Sequence, residues 1–112
     1  MASFERFDVV RVPFPFTDRL AEKNRPAVVI SDGAAFNRPA GHSVMAMITS
    51  AAHAPWPLDV PIGDLESAGL PAPSIVRFKL FTLDHRLVRG KLGRLGAEDR
   101  ERLRGAMREL MP

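Results

Sequence analysis

Arg25, Thr49, Ser50, Ser74, Arg77 and Lys79 are the residues of this 112-residue chain whose types and spacing could do chemistry. Arg25 stands directly before Pro26 in RPAVVIS, and proline pushes the residue ahead of it into extended geometry, so the guanidinium is held at the point where the chain enters a strand. The hydroxyls of Thr49 and Ser50 close the apolar run SVMAMITS, and Ser74 opens the run SIVRFKLF. Along that run Arg77 and Lys79 share one parity, about 7 Å apart by the two-residue repeat of a strand. Fixed hydrogen-bond donors of this kind suit an anion. The plainer reading of Arg25 is a surface arginine at a strand start.

Other chemistries find no support in the sequence. His42, His53 and His85 are scattered, without a second ligand at helical or turn spacing, so no metal site is expected. GxxxxGK and GxGxxG loops are missing, and no serine sits in a nucleophile elbow. The chain has no cysteine, which fits a reducing interior. The first residues form no signal-like apolar stretch, and no run approaches the roughly 20 residues of a membrane span. A cytoplasmic location without membrane association is expected. Sixteen Lys and Arg against thirteen Asp and Glu give a net charge of +3, a mild bias towards polyanions, with the cations gathered from Arg77 through Arg94 and along the last segment. A solvated basic face explains part of that pattern.

The elements that must position these residues are short. In DVVRVPFPF, Val10, Val12, Phe14 and Phe16 alternate with polar residues and prolines, which predicts a strand at a sheet edge with the first set facing the core. PAVVIS and SVMAMITS read as strands covered on both sides. LDVPI and SIVRFKLF follow, the latter with Val76, Phe78 and Leu80 on one face, and KLGRL reads as a last strand. GAEDRERLRGAMRELM is helical, with an apolar stripe of Leu103, Ala106, Met107, Leu110 and Met111, acids in the first turn, and Glu98 spaced to pair with Arg102. Loops are expected for DGAAFNRPAGH, which has room for one helical turn, for AHAPWPL and for ESAGLPAP. Together they predict one domain, residues 1–112, mainly β: a small SH3-like antiparallel barrel with a C-terminal α-helix.

RPAVVIS, AAFNR, VMAMITS, PSIVRFKLFTLD and LGRL, in this order and spacing, resemble the PemK/MazF-like toxins of toxin-antitoxin systems, from about residue 7 to the end. The resemblance implies a homodimeric barrel that cleaves single-stranded RNA without a metal or other cofactor, growth-inhibiting and neutralised by a cognate antitoxin protein. It places Arg25 on the scissile phosphate, where a guanidinium offers a bidentate fork at any working pH. Thr49 would hold a second phosphate oxygen, with Ser50 in support; a strand-end threonine bonded to backbone is the alternative.

Attack by the RNA 2′-hydroxyl also needs a base. One branch of the family carries an aspartate where this chain has Lys79, which leaves Glu22, in the loop before Arg25, and His53, shortly after Thr49. Arg77, Lys79, Ser74 and Asn37 complete the RNA-binding set together with Trp56, on which a base could stack, or which could instead cover the barrel end. Two rival readings share the barrel: a non-catalytic nucleic-acid-binding member, and a toxin that poisons DNA gyrase.

Overall fold

The computed structural model describes residues 3–14 and 23–112. Six strands make one antiparallel sheet in the order β4-β5-β3-β2-β1-β6: β1 Asp8–Phe14, β2 Lys23–Val29, β3 His42–Ser50, β4 Val60–Pro61, β5 Ser74–Asp84 and β6 Gly90–Arg94. The sheet curls into a half-barrel. A π-type turn, Gly33–Asn37, runs into α1, Arg38–Ala40; α2, Leu65–Ala68, follows β4, and α3, Ala97–Leu110, ends the chain. The expected barrel and terminal helix are therefore present. No helix among the described residues is long and apolar enough to cross a membrane.

The continuous apolar runs exist because the sheet is covered on both faces. Inside the curl, Val9, Val28, Ala46, Ile48 and Val76 meet Leu95, Leu103 and Ala106 from the α3 end. On the outer face, Val10, Val12, Ala27, Val29, Met45 and Leu83 form a second cluster closed by Phe4. β1 keeps its alternation but buries both faces, Val9 in the inner cluster and Val10 and Val12 in the outer one, and the register shift in its pairing with β6 leaves Leu92 of β6 unmatched. Phe16 lies outside the described residues.

β5 shows a second irregularity. Ala46 pairs with Leu80 but Met47 pairs with Arg77, which leaves Phe78 and Lys79 without counterparts on β3. The expected core face Val76, Phe78, Leu80 is broken there: Leu80 is exposed, and Phe81 and Leu83 turn to the outer cluster. β5 also runs on to Asp84, well past SIVRFKLF, whereas the strand within LDVPI is only Val60–Pro61. ESAGLPAP is not wholly loop, because Asp64 accepts from Ser67 N–H and starts α2, and Gly69, at φ 73°, ends it.

On α3, Leu103 and Ala106 are buried as the stripe predicts, but Leu110 and Met111 stay exposed. Arg102 pairs with Asp99 rather than with Glu98. Asp99 is buried because it accepts from the backbone N–H groups of Gly63 and Asp64 at 2.8 and 3.0 Å, tying the helix start to the loop after β4.

Candidate active site

Much of the positive run after the chain's midpoint is internally paired. Lys91 and Arg94 reach the buried Asp8 at 3.2 and 3.0 Å, Arg86 pairs with Asp84, and Arg77 with Asp59. Among the described residues Arg25 and Lys79 have no carboxylate partner, and both border the same hollow, of about 470 Å³, at one end of the sheet. Its walls include Phe14, Thr49, His53, Trp56 and Arg77.

Arg25 lies within β2, opposite Val12, because the strand begins at Lys23 and not at Pro26. Its guanidinium rests 5.6 Å from the centroid of the Phe14 ring, and its solvent-shielded Nε has no hydrogen-bond partner among the described residues. Held by the ring at the wall of the hollow and with no carboxylate partner among the described residues, this cation can meet an incoming anion. Neighbouring β3 brings Thr49 to the same hollow, where its Oγ1 lies 2.6 Å from His53 Nδ1. The side-chain partner of Thr49 is therefore an imidazole, in contrast to the backbone-bonded alternative.

The remaining sequence candidates divide. Ser50 and Ser74 are paired across β3 and β5 but do not line the hollow; Ser50 Oγ accepts from Ala52 N–H and Ser74 Oγ donates to the Ala72 carbonyl. Asn37 does not belong to the site. It is fully buried, with its amide donating to the Phe4 and Ser31 carbonyls at 2.9 and 3.0 Å, so it braces the turn after β2. Arg77 reaches the hollow's wall with its guanidinium already committed: Nε and Nη2 donate to Asp59 at 3.2 and 3.0 Å, and Nη2 also donates to the Ala54 carbonyl at 2.7 Å. Lys79 is exposed, its ammonium 5.0 Å from the Trp56 ring centroid. Trp56 is 44% exposed and walls the groove, in contrast to a cover over the barrel end. Glu22 lies outside the described residues.

Two contributors carry no cue in the local pattern: Phe14, which alternation places in the core, lines the hollow, and Asp59 within LDVPI holds Arg77. The signal for Asp59 was cross-strand: Val60 pairs with Val76, so the preceding residue on β4's side falls level with Arg77, an opposite-charge pair.

A curled antiparallel sheet with one long C-terminal helix defines a class of small barrel protein whose fold is found among solved bacterial toxins. MazF in the MazE-MazF complex (Form-III) from Deinococcus radiodurans superposes with a TM-score of 0.76 at 22% identity, over 98% of this chain and 97% of that one. An endoribonuclease solved with its cognate antitoxin from a mycobacterial species gives 0.74 at 19%, over 97% and 93%. The Mycobacterium tuberculosis toxin MazF-mt6 gives 0.70 at 20%, over 91% and 93%. At such identities the likeness is one of fold. No curated protein matches the chain closely in sequence. The family model for the PemK-like, MazF-like toxin of type II toxin-antitoxin systems matches residues 5–111, and the chain belongs to that family.

Proposed function

We propose that this toxin is a metal-independent endoribonuclease that cuts single-stranded RNA in the cytoplasm, acts as a homodimer and is held inactive by a cognate antitoxin. The observation that carries the reading is Arg25, a guanidinium with a shielded, unpartnered donor, on the same hollow as a Thr49–His53 hydrogen bond.

In this reading the guanidinium and the Thr49 hydroxyl receive the scissile phosphate. The 2′-oxygen of the ribose on the 5′ side of that phosphate, which carries it through its 3′-oxygen, attacks phosphorus, the bond to the 5′-oxygen of the next nucleotide breaks, and the products end in a 2′,3′-cyclic phosphate and a 5′-hydroxyl. His53 takes the 2′-hydroxyl proton through Nε2. That role requires the tautomer in which Nδ1–H donates to Thr49 Oγ1, and this tautomer leaves the threonine O–H free to donate to the phosphate. One hydrogen bond thus sets both groups for their tasks. The leaving 5′-oxygen takes its proton from water, which reaches the exposed side of the hollow at His53 and Ala54. Arg25 meets the charge growing on the phosphoryl oxygens, so no step calls for a metal.

The test is incubation of the folded protein with a long single-stranded RNA in EDTA, with the new ends identified chemically. Cyclic phosphate and 5′-hydroxyl ends that vanish when the scissile nucleotide is 2′-deoxy are expected. Intact RNA at micromolar protein would overturn the assignment.

A further inference from the structure

Trp56 stands at the rim of the hollow 44% exposed, on a turn that is closed from several sides. Its backbone N–H donates to Asp59 Oδ2 at 2.9 Å, and Asp59 N–H returns a bond to the Trp56 carbonyl at 3.2 Å. Between them Leu58 adopts φ 62°, a left-handed conformation that a branched side chain rarely takes, while packing against the inner core. The two prolines flanking Trp56 restrict the backbone further. Arg77 fastens this loop at two points, Asp59 and the Ala54 carbonyl, and the Arg77 and Asp59 side chains are only 11% and 15% exposed. A backbone in disfavoured geometry persists where its surroundings over-determine it, which is the mark of a segment shaped for a task. What this segment holds at the rim is one half-exposed aromatic ring, with the Lys79 ammonium and the Arg77 guanidinium 5.0 and 5.7 Å from its centroid.

Beside that ring lies Lys79, a cation with no carboxylate partner among the described residues, and across the hollow lies Arg25. An exposed indole next to unneutralised cations is the combination that single-stranded nucleic acids use, bases stacking on the ring while phosphates follow the charge.

We propose that Trp56 is the stacking platform for a nucleobase next to the scissile phosphate, and that Arg77 with Asp59 forms the lock that presents it. Arg77 is then a positioning residue that never touches RNA, in contrast to Lys79. This rests on the ribonuclease reading above. Stacking is tolerant of base identity, so the platform strengthens binding more than it selects sequence.

Trp56 is the chain's single tryptophan, so its emission reports the platform directly. The probe is a mixed-sequence 2′-O-methyl RNA oligonucleotide, uncleavable and end-labelled for anisotropy. Quenching of Trp56 is expected with the same midpoint as the anisotropy change. Trp56→Leu should raise KM for cleavable RNA by about tenfold to a hundredfold with a much smaller fall in kcat, and Trp56→Phe should restore most of the loss. Arg77→Met should shift the tryptophan emission and raise KM, but add little to KM when combined with Trp56→Leu. Asp59→Asn, which keeps size and removes charge, serves the same purpose should Arg77→Met fail to fold by circular dichroism. Binding and cleavage with unchanged emission, or a Trp56→Leu enzyme with wild-type KM, would overturn the platform alone. An oligonucleotide that does not bind at all would overturn the ribonuclease reading with it.

Discussion

Arg25 on β2 and Thr49 on β3 border the same hollow, each two residues past the point where the pairing of their strands ends, at Ala27 with Met47. Both share the parity of Ala27, Val29 and Met45, so their side chains rise from one face of the sheet and can converge on two oxygens of one phosphate. Arg25→Ala is expected to lower kcat for RNA cleavage about 10²- to 10³-fold, the usual loss of one aimed donor. Because Arg25 has no ion pair among the described residues, its thermal midpoint should barely move. Arg25→Lys should recover only part of the rate, lacking the fork. Single-turnover cleavage beside a thermal melt checks the pair of outcomes.

The Thr49–His53 bond gives a separate expectation. His53→Gln should reduce the rate about 10²- to 10⁴-fold, the range for loss of a positioned base, while leaving oligonucleotide binding nearly intact. A rate that survives the substitution would move the base elsewhere. Anisotropy with the uncleavable oligonucleotide separates the two quantities.

His85 makes stability depend on pH. Burial pushes its pKa below the ordinary value of 6.5, and its Nε2 lies 2.7 Å from the Ser43 hydroxyl at the far end of β3. The imidazole is then neutral in the fold at a pH where the unfolded chain has already taken up a proton. Proton uptake by the unfolded state favours unfolding, so stability should fall as pH drops from about 6.5 towards the lower folded value, then level off. His85→Gln, which can still accept from Ser43, should flatten the urea midpoint between pH 7.5 and 5.5. An equal slope in both proteins would assign the dependence to another group.

Asp99 is the clearest stability determinant outside the groove. Asp99→Ala would strand the N–H groups of Gly63 and Asp64 and free Arg102, at a cost of about 2 to 4 kcal/mol. Chemical denaturation reads this loss. Activity of the remaining folded protein should persist, since Asp99 lies away from the hollow.

The sheet and its helix were legible in the sequence, because each depends on local pattern, apolar runs of strand length and a 3.6-residue stripe; Arg25 and Thr49, singled out by an Arg-Pro step and by a strand ending in Thr-Ser, both border the hollow. Three features were not legible in this way. The register shift that leaves Phe78 and Lys79 unmatched follows from the curl of the whole sheet, so strict alternation placed Leu80 wrongly. Asn37 has the same composition cue whether it meets solvent or braces a buried turn, and only the fold decides for the latter. Arg77 looked like a free cation because its neutralising partner, Asp59, is eighteen positions away in sequence.

Gly69 and Gly93 mark where α2 presses on β6. A Cβ at Gly69 would fall 2.1 Å from the Leu92 carbonyl oxygen, and one at Gly93 would fall 2.3 Å from that of Ser67. Gly93→Ala should therefore destabilise the protein by about 1 to 3 kcal/mol, as overfilling a tight contact does, measurable by thermal melting.

The same contact has a colloidal side. Ser67 Oγ donates to the Arg94 carbonyl on the outermost strand, and at the opposite margin β4 is only two residues long and contains a proline. The two terminal strands of the sheet are therefore short, five residues at one margin and two at the other. Short terminal strands of this kind lower the tendency of a strand-rich chain to template its own fibrils.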